Sequence, residues 1–173
     1  MNRRKFLFTG AAALTVAVLG GGAVIALRPV RDAQGRFEPD IRLMWNRLGG
    51  ILLEGAWPAD AAAAARARQA WVARVEDVVA TLPGHARTEL DRLLALLRWS
   101  LPRRWILDLP DDWASASDET VRAALSRTNR ATQALRLQAF AALRDLSLAA
   151  YYADETSWVA IGYPGPNPIH GAS

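Results

Sequence analysis

The sequence predicts an all-α protein: an irregular bundle of about five helices behind an N-terminal signal or anchor helix. Three observations lead there. Apolar residues recur at three- and four-residue spacing through most of the chain. Turn formers such as Pro83-Gly84 fall between these runs. No stretch alternates apolar and polar residues in the manner of a strand, and no internal repeat is present. The chain has 173 residues, 51% hydrophobic and 22% charged, enough for one domain with its own core. That composition excludes a disordered chain and a polytopic membrane protein.

The first segment, residues 1–27, reads as an address rather than as part of the fold. Arg3, Arg4 and Lys5 precede an uncharged run from Phe6 to Leu27, rich in Ala and Gly. Arg3-Arg4-Lys5-Phe6-Leu7 resembles a twin-arginine export signal, with Arg3, Arg4, Phe6 and Leu7 at its defining positions; it departs from the pattern at Phe8, where lysine is common. Val24-Ile25-Ala26 offers a small-residue cleavage site. A run of 22 residues also spans roughly 33 Å as a helix, enough to cross a bilayer. A cleaved signal and a retained membrane anchor therefore both fit. The twin-arginine route implies export of folded cargo, hence a periplasmic location, with the twin-arginine translocase as a partner and attachment to the inner membrane if the N-terminal helix is uncleaved.

Residues 28–40 hold Pro, Gly, Asp and charges without periodicity and read as a linker or an irregular lead-in. The helical domain is assigned to residues 41–166. Asp40 is positioned to cap a first short helix that Gly49-Gly50 interrupts. Pro58 suits the first turn of a long helix through Leu82, with Trp71, Val72, Val75, Val78 and Val79 on one stripe. Leu90, Leu93, Leu94, Leu97 and Leu101 mark a third helix that Pro102 ends. A connector with Trp105 and Trp113 follows. Ser117 then caps a segment, Glu119–Tyr152, that is helical almost throughout and weakest near Asn129. Its two apolar stripes, one with Leu135, Ala139, Leu143 and Leu146 and one with Leu137, Phe140, Leu148 and Tyr151, predict a central helix contacted on two sides. Asp154 caps a last short helix to Ile161, and residues 167–173 form a flexible tail.

The residues that would carry chemistry are few. The net charge of +4 loses its excess once residues 1–26 are set aside, leaving 18 basic and 17 acidic residues with no lysine. No basic patch for nucleic acid follows from that. Without cysteine there are no disulfides, iron–sulfur clusters or thiolate zinc sites. His85 and Glu89 have ligand spacing on a helix, but two ligands do not make a metal site. Asp108, Asp111 and Asp112 surround Pro110 and read as turn caps rather than a catalytic pair. No catalytic, cofactor-binding or metal-binding residue is assigned, and the chain is read as a non-enzyme. Of seven tryptophans, Trp71 and Trp99 are assigned to the core; Trp105, Trp113 and Trp158 lie near loops, where aromatics also anchor interfaces.

The closing run, Phe140–Pro166, carries a family resemblance. Arg144-Asp145-Leu146, Ala150-Tyr151-Tyr152 and the stretch Trp158–Pro166, W-V-A-I-G-Y-P-G-P, resemble the family named after the third, gamma, subunit of gluconate 2-dehydrogenase. With the export signal, the match covers about a third of the chain. The resemblance implies a non-catalytic small subunit of a periplasmic, membrane-associated dehydrogenase. Its large subunit is a flavoprotein of the glucose-methanol-choline type that oxidises a sugar or alcohol and holds the FAD; a cytochrome c subunit often takes the electrons. The small subunit serves as folding and export escort. Trp158, Tyr163, Pro164, Gly165 and Pro166 are the partner-binding residues this reading selects. Pro164 and Pro166 bias the residues before them towards extended backbone, which holds Tyr163 on a stiff strut. That strut suits either the protein's own groove or a partner. The competing reading is an exported or anchored helical protein with a structural or interaction role and no dehydrogenase partner.

Overall fold

The structure, a computed structural model, describes residues 28–160. The export-signal residues Arg3, Arg4, Phe6 and Leu7, and the tail residues Tyr163, Pro164, Gly165 and Pro166, lie outside the described residues. The described chain is all-α: α1 (Pro39–Leu52), α2 (Ala61–Ala80), α3 (Gly84–Leu97), α4 (Ser100–Leu107), α5 (Asp118–Asn129), α6 (Ala134–Tyr152) and α7 (Thr156–Ala160). Among the described residues no strand forms; Arg31 and Phe37 make one isolated antiparallel bridge.

Seven helices replace the five that the sequence suggests, for two local reasons. The segment from Ser117 divides at Asn129 into α5 and α6. The connector after Leu97 winds into α4, which corrects the role given to Pro102. The third helix ends at Leu97, and Pro102 sits in the first turn of α4, where a missing N–H costs nothing because first-turn donors have no intrahelical partner. Two further boundaries move. Pro39, not Asp40, opens α1, and Asp60 rather than Pro58 begins α2, its carboxylate accepting the Ala63 N–H at 2.7 Å. Ser117 caps α5 as its sequence predicts, accepting the Thr120 N–H at 3.1 Å.

Helix α6 is the centre. It packs against α2, α5, α4, α1 and α7, and Ala139, Phe140, Leu143 and Ala150 are buried. Two hydroxyls in this core are satisfied locally: Ser147 Oγ donates to the Leu143 carbonyl at 2.8 Å, and Thr128 Oγ1 lies 2.9 Å from both the Leu107 and Ala124 carbonyls. Trp71 of α2 is fully buried, its Nε1 donating to the Ser147 carbonyl at 3.2 Å. Trp45 of α1 is buried beside it.

Gly49-Gly50 does not interrupt α1. The helix runs through both residues because Gly49 faces the Trp71 ring. The close approach of α1 to α2 needs hydrogen at that position, so the glycine serves packing rather than a turn.

The lead-in through Glu38 is irregular in backbone but not a free spacer. Val30 and Phe37 are buried in the core. Asp32 accepts the N–H groups of Gln34 and Arg36, and Gly35 takes a positive φ of 78° to close the turn. Glu76, a buried carboxylate on α2, accepts the Phe37 N–H at 3.0 Å and pairs with Arg42 at 2.7 Å. Arg98 donates to the carbonyls of Arg28 and Pro29, each at 2.8 Å, and grips both Asp40 oxygens. Arg31 pairs with Asp91 at 3.0 Å and lies over the Phe37 ring. The segment is thus fastened to α1, α2 and α3.

Candidate functional site

Two surfaces hold the functional candidates. The first is the C-terminal end of α6. Asp154 accepts the Thr156 N–H at 3.0 Å and its hydroxyl at 2.7 Å, which starts α7 and turns the chain back. The Thr156 hydroxyl, then its N–H, hold the Asp154 carboxyl below the usual carboxylate range. Arg74 of α2 adds an ion pair at 3.1 Å. This seat places Trp158 against the end of α6, where its Nε1 donates to the Tyr152 carbonyl at 2.9 Å. Tyr152 is exposed. Behind it the aromatic rings form a continuous series: Tyr152 to Tyr151, Trp57, Trp71, Trp45 and Phe37, with centroids 5.3 to 6.3 Å apart. Of the five partner-binding residues, Trp158 falls within the described chain and docks on its own α6.

The second surface surrounds α4. Trp99 caps the helix at its N-terminus, and Leu101 and Trp105 stand on it one turn apart. Trp99 is 46% exposed, Leu101 80% and Trp105 61%. Beside them runs an apolar groove of about 340 Å³. Leu93 and Leu96 supply one wall from α3, Leu101, Pro102, Trp105 and Ile106 the other from α4, and Leu135 of α6 closes it. Here the assignment of Trp99 to the core is corrected. Tryptophan packs in cores by default, but α3 ends two residues before Trp99 and the chain turns there, which leaves the ring half exposed. Trp113, for which packing and interface use were both open, is buried, its Nε1 donating to the Leu97 carbonyl at 3.0 Å. Arg47 of α1 holds the loop that carries it, donating to the carbonyls of Trp113 and Ala116 and pairing with Asp118.

Charge near α4 is organised for structure. Arg103 is buried and caps α3 by donating to the Arg98 carbonyl at 3.1 Å. Burial lowers its pKa, against which Asp112 and Asp111 act in the opposite sense. Asp112 accepts the N–H groups of Ala114 and Ser115, both at 2.9 Å. Those bonds, the Ser115 N–H foremost, keep its carboxyl below the ordinary value. Asp108 takes a left-handed φ of 57° and pairs with Arg127. Each of these two acids is engaged in a turn or ion pair. Among the described residues no group of three or more His, Asp or Glu side chains is gathered to hold a metal ion. A second pocket, about 280 Å³, lies between the lead-in and α3, and the Arg31–Asp91 pair crosses its wall.

No family model, curated protein or solved structure matches the chain. The likeness to the dehydrogenase small subunits therefore rests on the residues that carry it. Among the described helices none is long and apolar enough to cross a membrane.

Proposed function

We propose that the chain is the non-catalytic small subunit of an exported, flavin-dependent sugar or alcohol dehydrogenase, acting as folding and twin-arginine export escort for the large subunit. The observation that carries this reading is the pairing, in one chain, of the Arg3-Arg4-Lys5-Phe6-Leu7 signal with the closing motif Trp158–Pro166. The fold supplies a helical body between them. Its C-terminal end presents Tyr152 and the seat of Trp158, and Tyr163–Pro166, the other partner-binding residues of this reading, follow in the sequence. In this division of labour the FAD resides in the large subunit, and a cytochrome c subunit accepts the electrons.

The test is co-expression with a flavin dehydrogenase that lacks its own export signal and is encoded beside this chain. Changing Arg3 and Arg4 to lysine together abolishes appearance of the dehydrogenase in the periplasm. Equal export with and without that change overturns the escort role and leaves an exported helical interaction protein.

A further inference from the structure

We propose that the pocket between the lead-in and α3 binds a small phosphate monoester, held as a dianion by Arg28, Arg31 and Arg92. The site is assembled by the fastening of residues 28–31. On α3, Thr88, Asp91, Arg92 and Ala95 recur at three- and four-residue spacing and so share one face. The lead-in is fixed across that face: Arg98 holds the carbonyls of Arg28 and Pro29, and Val30 is buried. Between them is a cavity of about 280 Å³, whose wall carries three guanidinium groups and one carboxylate. Asp91 gives its Oδ1 to Arg31 at 3.0 Å, which offsets one of the three positive charges. The pocket keeps the other two.

Those two charges are unopposed. Among the described residues, the side chains of Arg28 and Arg92 make no hydrogen bond or ion pair, whereas eight other arginines each have a carboxylate partner. All 17 acidic residues lie within residues 28–160, because neither residues 1–27 nor residues 161–173 contain Asp or Glu. No acidic side chain elsewhere in the chain is left to neutralise them. Unpaired cations on one concave wall focus a positive potential there and attract an anion. The excess of two charges matches a phosphate monoester, which carries about −1.5 to −2 at pH 7. Guanidinium forks fit phosphate oxygens in pairs. The cavity equals roughly nine waters' share of the liquid, room for a phosphate and a short carbon chain but not for a polymer. Two acceptors complete the lining. The Thr88 hydroxyl donates to the Gly84 carbonyl at 2.9 Å and keeps its lone pairs, and Asp91 keeps Oδ2. Both suit hydroxyl groups on that chain.

The probe is glycerol 3-phosphate, titrated into the full-length protein in nonionic detergent and followed by calorimetry. Ionic strength is held constant, because salt screens such charges. Arg28→Gln and Arg92→Gln each remove one unpaired guanidinium. The Arg28 contact that fastens the lead-in is made by its carbonyl, which glutamine retains. Arg66→Gln, exposed on α2, is the control, and circular dichroism checks that each variant is folded. The first two variants each weaken binding about tenfold, the loss of one charge-assisted contact, and the control leaves it unchanged. Binding that is absent up to about 10 mM overturns the proposal. So does binding that Arg28→Gln and Arg92→Gln leave unchanged, or that falls equally in all three variants. Succinate, a dianion without phosphorus, binding as tightly as glycerol 3-phosphate overturns the phosphate assignment. None of these outcomes touches the escort role, because no arm contains the dehydrogenase.

Discussion

A Cβ placed on Gly49 would lie 2.4 Å from Cζ3 of Trp71, inside the ring's own van der Waals envelope. Gly50, the next residue of the same helix, has nothing within 4 Å of the equivalent point. The pair makes a controlled comparison. Gly49→Ala destabilises the protein by about 1–3 kcal/mol, because overpacking against a buried indole outweighs the gain in helix propensity. Gly50→Ala, free of overlap, stabilises by up to about 1 kcal/mol. Thermal or urea unfolding of the two variants should move in opposite directions; a shared sign would show that the α1–α2 approach is not set by Gly49.

Glu76 fastens the lead-in through a single oxygen that serves both Phe37 and Arg42. Glu76→Ala leaves the buried Phe37 N–H without a partner, at a cost of about 1–3 kcal/mol. Glu76→Gln retains an acceptor for that N–H and loses less. Hydrogen exchange at the Phe37 amide reads the effect locally: protection falls strongly in the alanine variant and partly in the glutamine variant.

The cap of α5 rests on one hydroxyl. Ser117→Ala removes the acceptor for the Thr120 N–H and costs about 1 kcal/mol, whereas Ser117→Asp retains the cap. Unfolding of both variants in urea checks the ranking.

The Asp154 carboxyl titrates below the ordinary value of 3.8, first because of the Thr156 hydroxyl. A depressed folded pKa contributes stability that is complete above the unfolded value and is lost as pH falls through the folded one. Acid should therefore loosen the α6–α7 turn below pH 3.8. Asp154→Asn keeps an acceptor but no charge, so its unfolding temperature falls less than that of the parent between pH 5 and pH 3, an interval chosen to bracket the carboxylate range.

If the chain is the proposed escort subunit, Tyr163→Ala weakens association with the dehydrogenase large subunit and leaves the helical fold intact. Co-purification measures the first and circular dichroism the second. Collapse of the fold in this variant would make the tail a structural plug rather than a partner contact.

The all-α class and the central helix were legible because periodicity reports buried faces directly, as Leu143 and Ala150 demonstrate. Other features depended on contacts between segments distant in sequence. Gly49 reads as a break until Trp71, more than twenty residues away, is known to lie against it. Leu101 matches the stripe of α3 in spacing, yet the chain turns at Leu97, where the Leu97 and Arg98 carbonyls receive donors from Trp113 and Arg103. Period counting cannot see that turn, and so it places the solvent-facing Leu101 on the buried stripe. For the α4 face a local signal does exist: the sequence Trp-Ser-Leu-Pro-Arg-Arg-Trp combines aromatics with paired arginines.

The fastening of residues 28–38 has a mechanical consequence. Tension applied at the N-terminus, as a translocating machine would apply it, reaches the Arg98 grip on Arg28 and Pro29 first, then the Arg31–Asp91 pair, then the Phe37–Glu76 bond. These attachments follow one another along the chain; the first two end on α3 and the residue that caps it, the third on α2. The load therefore enters α3 first and α2 next, and residues 28–37 must be peeled from both helices before it reaches the centre of the bundle.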